Sequence, residues 1–353
     1  LPFLLLSIPF GLLADRVSRR RLMLWAEGLR VLALLALAAV VAFGQVSLPL
    51  LAVLGFMGAV GTVGFSVAAP ALLPALVPRH QLAQANGRIE LARSVAYAGG
   101  PALAGALVAW SGAGPAFAVA AALSGLALVA LLRLREPARP PAPSRHPLAE
   151  LRQGGGFVWR HVLLRPILLT AIAWNLAWCV MQAAYVPYAM QQLGLSAAGV
   201  GFTLAGYGVG MVLGALAAGR IIRALPYGQA VLLGPLVSVA ASLTMAASTL
   251  WPRAELAALA FFLFGVGPIV WTISSTTLRQ HATPHGMLGR VGAIFLTVNS
   301  GARPLGALLG AAVGARYGAA ACLWLAAAGF GVQAAIIATS PVRRLQQLPP
   351  AAG

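Results

Sequence analysis

The chain has 353 residues, 60% of them hydrophobic and 8% charged, with a mean hydropathy of +0.88. An ordinary soluble domain carries about 25% charged residues, so a cytosolic, nuclear or secreted globular protein is excluded and a polytopic membrane protein remains. The charge is lopsided, with 24 arginines, no lysine and six acids for a net charge of +18.

Leu1–Leu13 opens the chain as an apolar stretch of about 20 Å at 1.5 Å per residue, short of the hydrocarbon core of about 30 Å. The chain begins with Leu rather than Met, so this reads as a span with an N-terminal helix missing before it. It lacks the basic flank and small-residue cleavage site of a signal peptide. Ten stretches of spanning length follow: Leu22–Gly44, Leu48–Leu72, Leu91–Ser111, Gly114–Leu134, Pro166–Gln191, Ala197–Ile222, Gly228–Leu250, Glu255–Leu278, Met287–Tyr317 and Ala319–Ser340. Between the fifth and sixth of the eleven lies the longest polar stretch, Arg135–Arg165. It divides the chain into an N-terminal half (1–134), a linker (135–165), a C-terminal half (166–340) and a tail (341–353). Its Gly154-Gly155-Gly156 run is not a phosphate loop, because a Walker site needs a lysine.

Alternate loops differ in charge. One set holds 19 arginines, including Arg139 and Arg145 of the linker; the other holds Arg253 and Arg316. The positive-inside rule assigns the first set, and the C-terminus, to the cytoplasm. Arginine without lysine, with abundant Ala, Gly and Pro, points to a GC-rich bacterial genome and so to a bacterial inner membrane. Nucleic acid is not an expected partner, since the arginines sit in short loops and not in a basic stripe with interleaved aromatics. The lipid bilayer is.

The halves echo each other. Asp15-Arg16-Val-Ser-Arg19 matches Gly219-Arg220-Ile-Ile-Arg223 at an offset of 204, Gly87-Arg88 matches Gly289-Arg290 at 202, and Gly100-Pro101 matches Arg303-Pro304 at 203. Parallel repeats put a substrate site at their interface near the bilayer midplane.

Several side chains are candidates for that work. Glu27 with Arg30, and Glu90 with Arg93, stand three residues apart on single helical faces; each is either a structural pair near the interface or a site of proton coupling. Arg303 falls about sixteen residues into its span, where it either attracts an anionic group, tunes a proton site, or lies nearer the outer face than the span suggests. Trp174, Trp178, Gln182 and Tyr185 share a helical face beside Asn175; they line a cavity or pack in the bundle. Tyr97, Tyr207, Trp271 and Asn299 are similar groups elsewhere. Gly206, Gly210 and Gly214 form a small-residue ladder that reads as helix packing. Ser274–Thr277 are expected to bond their own helix carbonyls. The five histidines and two cysteines form no metal or disulfide pattern, so no metal, cofactor or catalytic set is expected.

Two motifs then carry a resemblance. Gly11-Leu-Leu-Ala-Asp15-Arg16-Val-Ser-Arg19-Arg20-Arg21 resembles the loop signature between helices 2 and 3 of the major facilitator superfamily, departing from it at Ser18. Gly100-Pro101-Ala-Leu-Ala104-Gly105 resembles the antiporter motif of helix 5 in that family. Asn86–Gly105 and Trp271–Gly310 are similar to the branch that holds the enterobactin exporter, macrolide efflux proteins and secretion effectors. The resemblance implies an all-α major facilitator fold of two six-helix bundles with the first helix missing. It implies a gate in which Asp15 meets motif arginines (Arg88 among the candidates) and the N-terminus of helix 11, against the plainer reading of a solvated loop ion pair. It implies that Gly99, Gly100, Pro101 and Gly105 let helix 5 bend and approach its neighbour closely. The activity it implies is proton-driven export of a small amphipathic compound, macrolide-like or siderophore-like, by a protein expected to be monomeric. An uncoupled or importing transporter, or a non-transporting scaffold, sensor or inactive fragment, are the alternatives.

Overall fold

Backbone polar groups in hydrocarbon have no water to bond, and an α-helix satisfies them within one segment. Long runs of Leu, Ala, Val and Gly therefore become helices, and the computed structural model, which describes residues 2–44, 47–137 and 147–350, is built from them. In chain order they are α1 (Pro2–Arg16), α2 (Arg19–Ala42), α3 (Leu48–Leu76), α4 (Leu82–Ser111), α5 (Ala113–Arg133), α6 (Pro147–Arg160), α7 (Leu164–Gln191), α8 (Ala197–Ala224), α9 (Tyr227–Ala247), α10 (Ala254–Ala282) and α11 (Leu288–Thr339). By length and composition, eight of these are able to cross a membrane. Helix α11 is two such lengths joined at Gly318, where φ is +84°. Only glycine adopts that conformation without strain, so the predicted break between Tyr317 and Ala319 falls where it was expected. Gly112 joins α4 to α5 in nearly the same conformation, φ +86° and ψ 172° against +84° and 170° at Gly318.

The duplication extends to packing. Helix α1 packs on α3, α2 on α3 and α5; in the second half α8 packs on α10, and α9 on α10 and α11. The halves meet through α1 against α11 and α4 against α8, which the repeat relates to one another.

Two expectations about elements change. Helix α4 begins at Leu82, well before Leu91, so Asn86, Arg88 and Glu90 are helical residues. The linker contains a helix, α6, which contacts α1, α7 and α11. Its polar, glycine-containing sequence hid it, because a helix lying beside a bundle needs just one apolar stripe. The linker residues Arg139, Arg145 and His146 lie outside the described residues.

The glycine ladder on α8 is a backbone-to-backbone seam. A Cβ at Gly206 would stand 3.1 Å from the Ala258 carbonyl and one at Gly214 2.6 Å from the Val266 carbonyl, while at Gly210 it would run into the Phe262 carbonyl oxygen. Those α10 positions are four apart, like the glycines. Gly210→Val is expected to force α8 and α10 apart, costing on the order of 3 kcal/mol, and to lower the thermal midpoint in detergent well beyond Gly201→Val, whose Cβ faces open space. Equal midpoints for the two variants would refute the seam.

Candidate functional site

The sequence-predicted residues gather in two places: a latch at the arginine-rich end and an aromatic cluster at mid-helix, where α4 meets α7 and α8.

The latch is built around Asp15, whose side chain is fully buried at the end of α1. Oδ1 accepts the Gly289 amide at 2.8 Å, Oδ2 accepts the Arg290 amide at 2.9 Å, and the Arg290 Nε donates to Oδ2 at 3.1 Å. Gly289 and Arg290 are the second and third residues of α11, whose first amides have no intrahelical partner. Asp15 thus caps a helix of the other half, and its charge meets the positive end of that helix dipole. The approach requires small residues. A Cβ on Gly289 would lie 2.7 Å from Asp15 Oδ1, and one on Gly11 would collide with the Ala293 Cβ.

Arg19, 1% exposed, ties the latch together. It donates to the carbonyls of Ala14 (3.3 Å), Ala71 on α3 (2.5 Å) and His285 before α11 (2.8 Å), and its Nη2 lies 3.7 Å from Asp15. Arg20 turns the other way, donating to the Leu131 and Leu132 carbonyls at the end of α5. Arg16 is exposed. Arg88 is also exposed, on α4, and is not the cross-half partner of Asp15. That place belongs to Arg290, its counterpart in the repeat. The reason is geometric: α1 faces α11, whereas α4 faces α8. Sequence reasoning aligned Arg290 with Arg88 and still missed its role, along with that of the linker. The Arg290 Nη1 also donates to Gln153 of α6 at 3.3 Å, and Gly154 lies against the Arg290 side chain.

A second carboxylate braces the same loop. Glu136, beyond α5, accepts from the Ser18 hydroxyl at 2.5 Å and from the Arg19 and Arg20 amides at the start of α2. Burial works to raise its pKa, but these donors together hold the carboxyl below the ordinary range. A depressed carboxylate contributes stability above the ordinary glutamate value of about 4.3 and loses it as pH falls through the lower folded value. Glu136→Gln should therefore lower the thermal midpoint at pH 7, and the gap to the parent should close below about pH 4. A gap that persists unchanged at pH 3 would contradict this.

The second place is an aromatic cluster shared by α4, α7 and α8, with Arg303 of α11 bonded to α7 beside it. Trp174 and Trp178 of α7 stack with ring centroids 5.2 Å apart and planes at 10°. Trp178 continues onto Tyr207 of α8 at 5.2 Å, and Tyr207 meets Tyr97 of α4 edge-on at 5.8 Å. This aromatic shelf crosses from one half to the other. Nearby, the Arg303 Nε donates to Asn175 Oδ1 at 2.9 Å. Arg303 sits mid-way along the first arm of α11, so it is not at an outer helix end. Glu90 and Arg93 pair at 2.8 Å with the arginine 70% exposed. The Trp174 Nε1 and Asn299 Oδ1 are buried with no hydrogen-bond partner among the described residues.

Other expectations fall elsewhere. Glu27 and Arg30 pair at 2.5 Å inside the first half, where Arg30 also donates to Ser124 of α5. Trp271 packs toward Gly234 of α9 and is not part of the shelf. Gln182 is exposed, and Tyr185 packs edge-on against Phe261 inside the second half. The close approach expected of Gly99, Gly100 and Gly105 is absent among the described residues, since a Cβ at each meets open space. Ala98 makes the approach instead, where a Cβ on Gly208 of α8 would stand 2.8 Å away. Pro101 lies within α4, which continues through it. Ser274 and Thr277 bond the carbonyls of Val270 and Ile273, as expected. Among the described residues no cluster of potential metal ligands occurs.

A bundle of long apolar helices, eight of them able to cross a membrane by length and composition among the described residues, defines a multi-span membrane protein. The chain belongs to the major facilitator superfamily, whose model matches residues 1–307. It is 30% identical over 349 residues to the enterobactin exporter EntS of Escherichia coli O1:K1, covering 96% of this chain and 81% of that one. Among solved structures it is similar to the human organic anion transporter MFSD10 (TM-score 0.78, 21% identity, 95% of this chain and 80% of that one). It is also similar to the Escherichia coli fucose:proton symporter FucP (TM-score 0.75, 16% identity, 95% and 87%). Family and fold are those of transporters and not of enzymes.

Proposed function

We propose that the protein is a proton-coupled exporter of a small amphipathic compound in a bacterial inner membrane, with the arginine-rich end and the C-terminus in the cytoplasm. The observation that carries this reading is the aromatic shelf Trp174–Trp178–Tyr207–Tyr97, which spans both halves beside Arg303. Aromatic faces with a few convergent polar groups suit a ligand that is largely apolar and partly charged. The buried Trp174 N–H offers such a ligand a donor, and Arg303 offers it a cation. The likeness to an enterobactin exporter supports export and a siderophore-like cargo; a macrolide-like cargo rests on the aromatic shelf alone.

The halves, 1–134 and 166–340, rock about the shelf, and the Asp15 latch closes the cytoplasmic end in one of the two states. Coupling falls to Glu90 with Arg93 rather than to Glu27. Glu90 and Arg93 pair on α4, two turns before the Tyr97 that meets Tyr207, whereas Glu27 is 1% exposed and engaged within the first half. Protonating Glu90 would release Arg93 from its pair, changing the charge near the shelf as cargo enters or leaves.

The test uses inside-out vesicles with an imposed pH gradient and a panel of a catecholate siderophore, a macrolide and a lipophilic cation. Cargo-dependent dissipation of the gradient is expected, abolished by Glu90→Gln and retained by Glu27→Gln. Cargo transport that survives Glu90→Gln without proton movement would make the protein an uncoupled transporter. Absence of flux and of cargo binding across the panel would favour a non-transporting role.

A further inference from the structure

A cavity of about 610 Å³ lies away from the aromatic cluster, where α6 ends, α7 begins and the second arm of α11 ends. Its volume falls within the range of small-molecule sites, about 300–1,000 Å³. Arg160, His161 and Arg165 line it, the two arginines exposed at its mouth, together with the half-buried Leu169 and Ile336. The Arg165 guanidinium lies over the Trp159 ring, 4.6 Å from its centroid, which holds the cation at the cavity. The His161 Nδ1 accepts the amides of Leu163 and Leu164, a pattern that leaves the proton on Nε2. Among the described residues neither Arg160 nor Arg165 pairs with a carboxylate. The mouth therefore presents donors and uncompensated positive charge.

The order of groups with depth identifies what fits. Leu169 is one helical turn further along α7 than Arg165, about 6 Å deeper, and Ile336 lies a similar step inside Thr339 on α11. Cations stand at the level where these helices leave the hydrocarbon, and apolar side chains lie just within it. Trp159, 53% exposed, has the amphipathic ring that favours the headgroup level of a bilayer. A soluble anion would use the arginines and leave Leu169 and Ile336 idle. We propose that this cavity binds an anionic phospholipid, with its phosphate between Arg160 and Arg165 and the start of an acyl chain along Leu169 and Ile336. Such a lipid would brace the linker helix α6 against the second half. This site does not depend on what the protein transports.

The experiment is native mass spectrometry on the detergent-solubilised protein after exchange into phosphatidylglycerol, phosphatidylcholine or glycerol 3-phosphate. The parent is expected to retain one tightly held phosphatidylglycerol that the double variant Arg160→Gln/Arg165→Gln binds at least tenfold more weakly. Leu169→Trp keeps both charges and fills the cavity, and it is expected to lose the same lipid while eluting as a monodisperse, helical protein. Unchanged phosphatidylglycerol retention in both variants, or equal retention of phosphatidylcholine, would overturn the proposal. Displacement of the lipid by equimolar glycerol 3-phosphate would overturn it in favour of a soluble-anion site.

Discussion

Asp15→Ala is expected to shift the protein away from the state in which its arginine-rich end is closed. The carboxylate satisfies two amides at the start of α11 and the Arg290 guanidinium, all of them in the opposite half. Removing it leaves a buried cation and two amides without their acceptor, and breaking a buried pair in this way costs about 3–5 kcal/mol. The contact exists only while α1 lies on α11, so the loss falls on that state alone. A difference of 3 kcal/mol moves a two-state ratio by roughly two orders of magnitude. Spin labels at Val17 and Gly286, with Cys179 and Cys322 replaced, should report a longer distance distribution in the variant. Asp15→Asn keeps one carbonyl acceptor for an amide and should fall between the two. A distribution identical to the parent's would show that the latch does not hold the ends together.

Arg19 should matter more for folding than any other arginine of the motif. Its three carbonyl acceptors sit on α1, on α3 and on the turn before α11, so one guanidinium joins three elements of both halves. Hydrogen bonds to a charged group contribute about 1.5–3 kcal/mol each, and buried acceptors left bare carry a further penalty. Arg19→Met is expected to destabilise the protein by about 3–5 kcal/mol. Arg19→Lys should recover little, because an ammonium on a flexible stem lacks the planar fork that reaches several acceptors at once. Arg20→Lys is the control. Its bonds end on two carbonyls of one helix end, partly in solvent, and a loss under about 1 kcal/mol is expected. Thermal midpoints in detergent would decide it; equal losses at the two positions would refute the distinction.

The same contrast separates what the amino-acid order carries from what folding adds. The spans were legible because transfer of about 20 consecutive apolar residues into hydrocarbon is a local sum. The break in α11 was legible because glycine at Gly318 tolerates a positive φ. The repeat was legible as landmarks at nearly one offset, and the packing of α1 and α2 on α3 is echoed by that of α8 and α9 on α10. The motif implied that Asp15 meets motif arginines and the N-terminus of helix 11, but neither the burial of Arg19 nor the guanidinium of Arg290 was in it. Asp15 and Gly289 are 274 residues apart, and composition does not say that α1 faces α11 rather than α4. That decision belongs to the packing of α1 on α11, and it added Arg290 to the motif Arg19 beside Asp15 while leaving the candidate Arg88 exposed. The linker helix shows the same limit from the other side. Its apolar stripe is short and interrupted by glycines, and becomes meaningful once Gly154 is seen against the Arg290 side chain. The shelf residues were listed singly from their chemistry, but the contact of Tyr97 with Tyr207 exists only because α4 and α8 close to within the width of a glycine at Gly208. Local energetics set each helix and its ends; which faces meet depends on contacts between residues far apart in the chain, where small side chains let backbones approach.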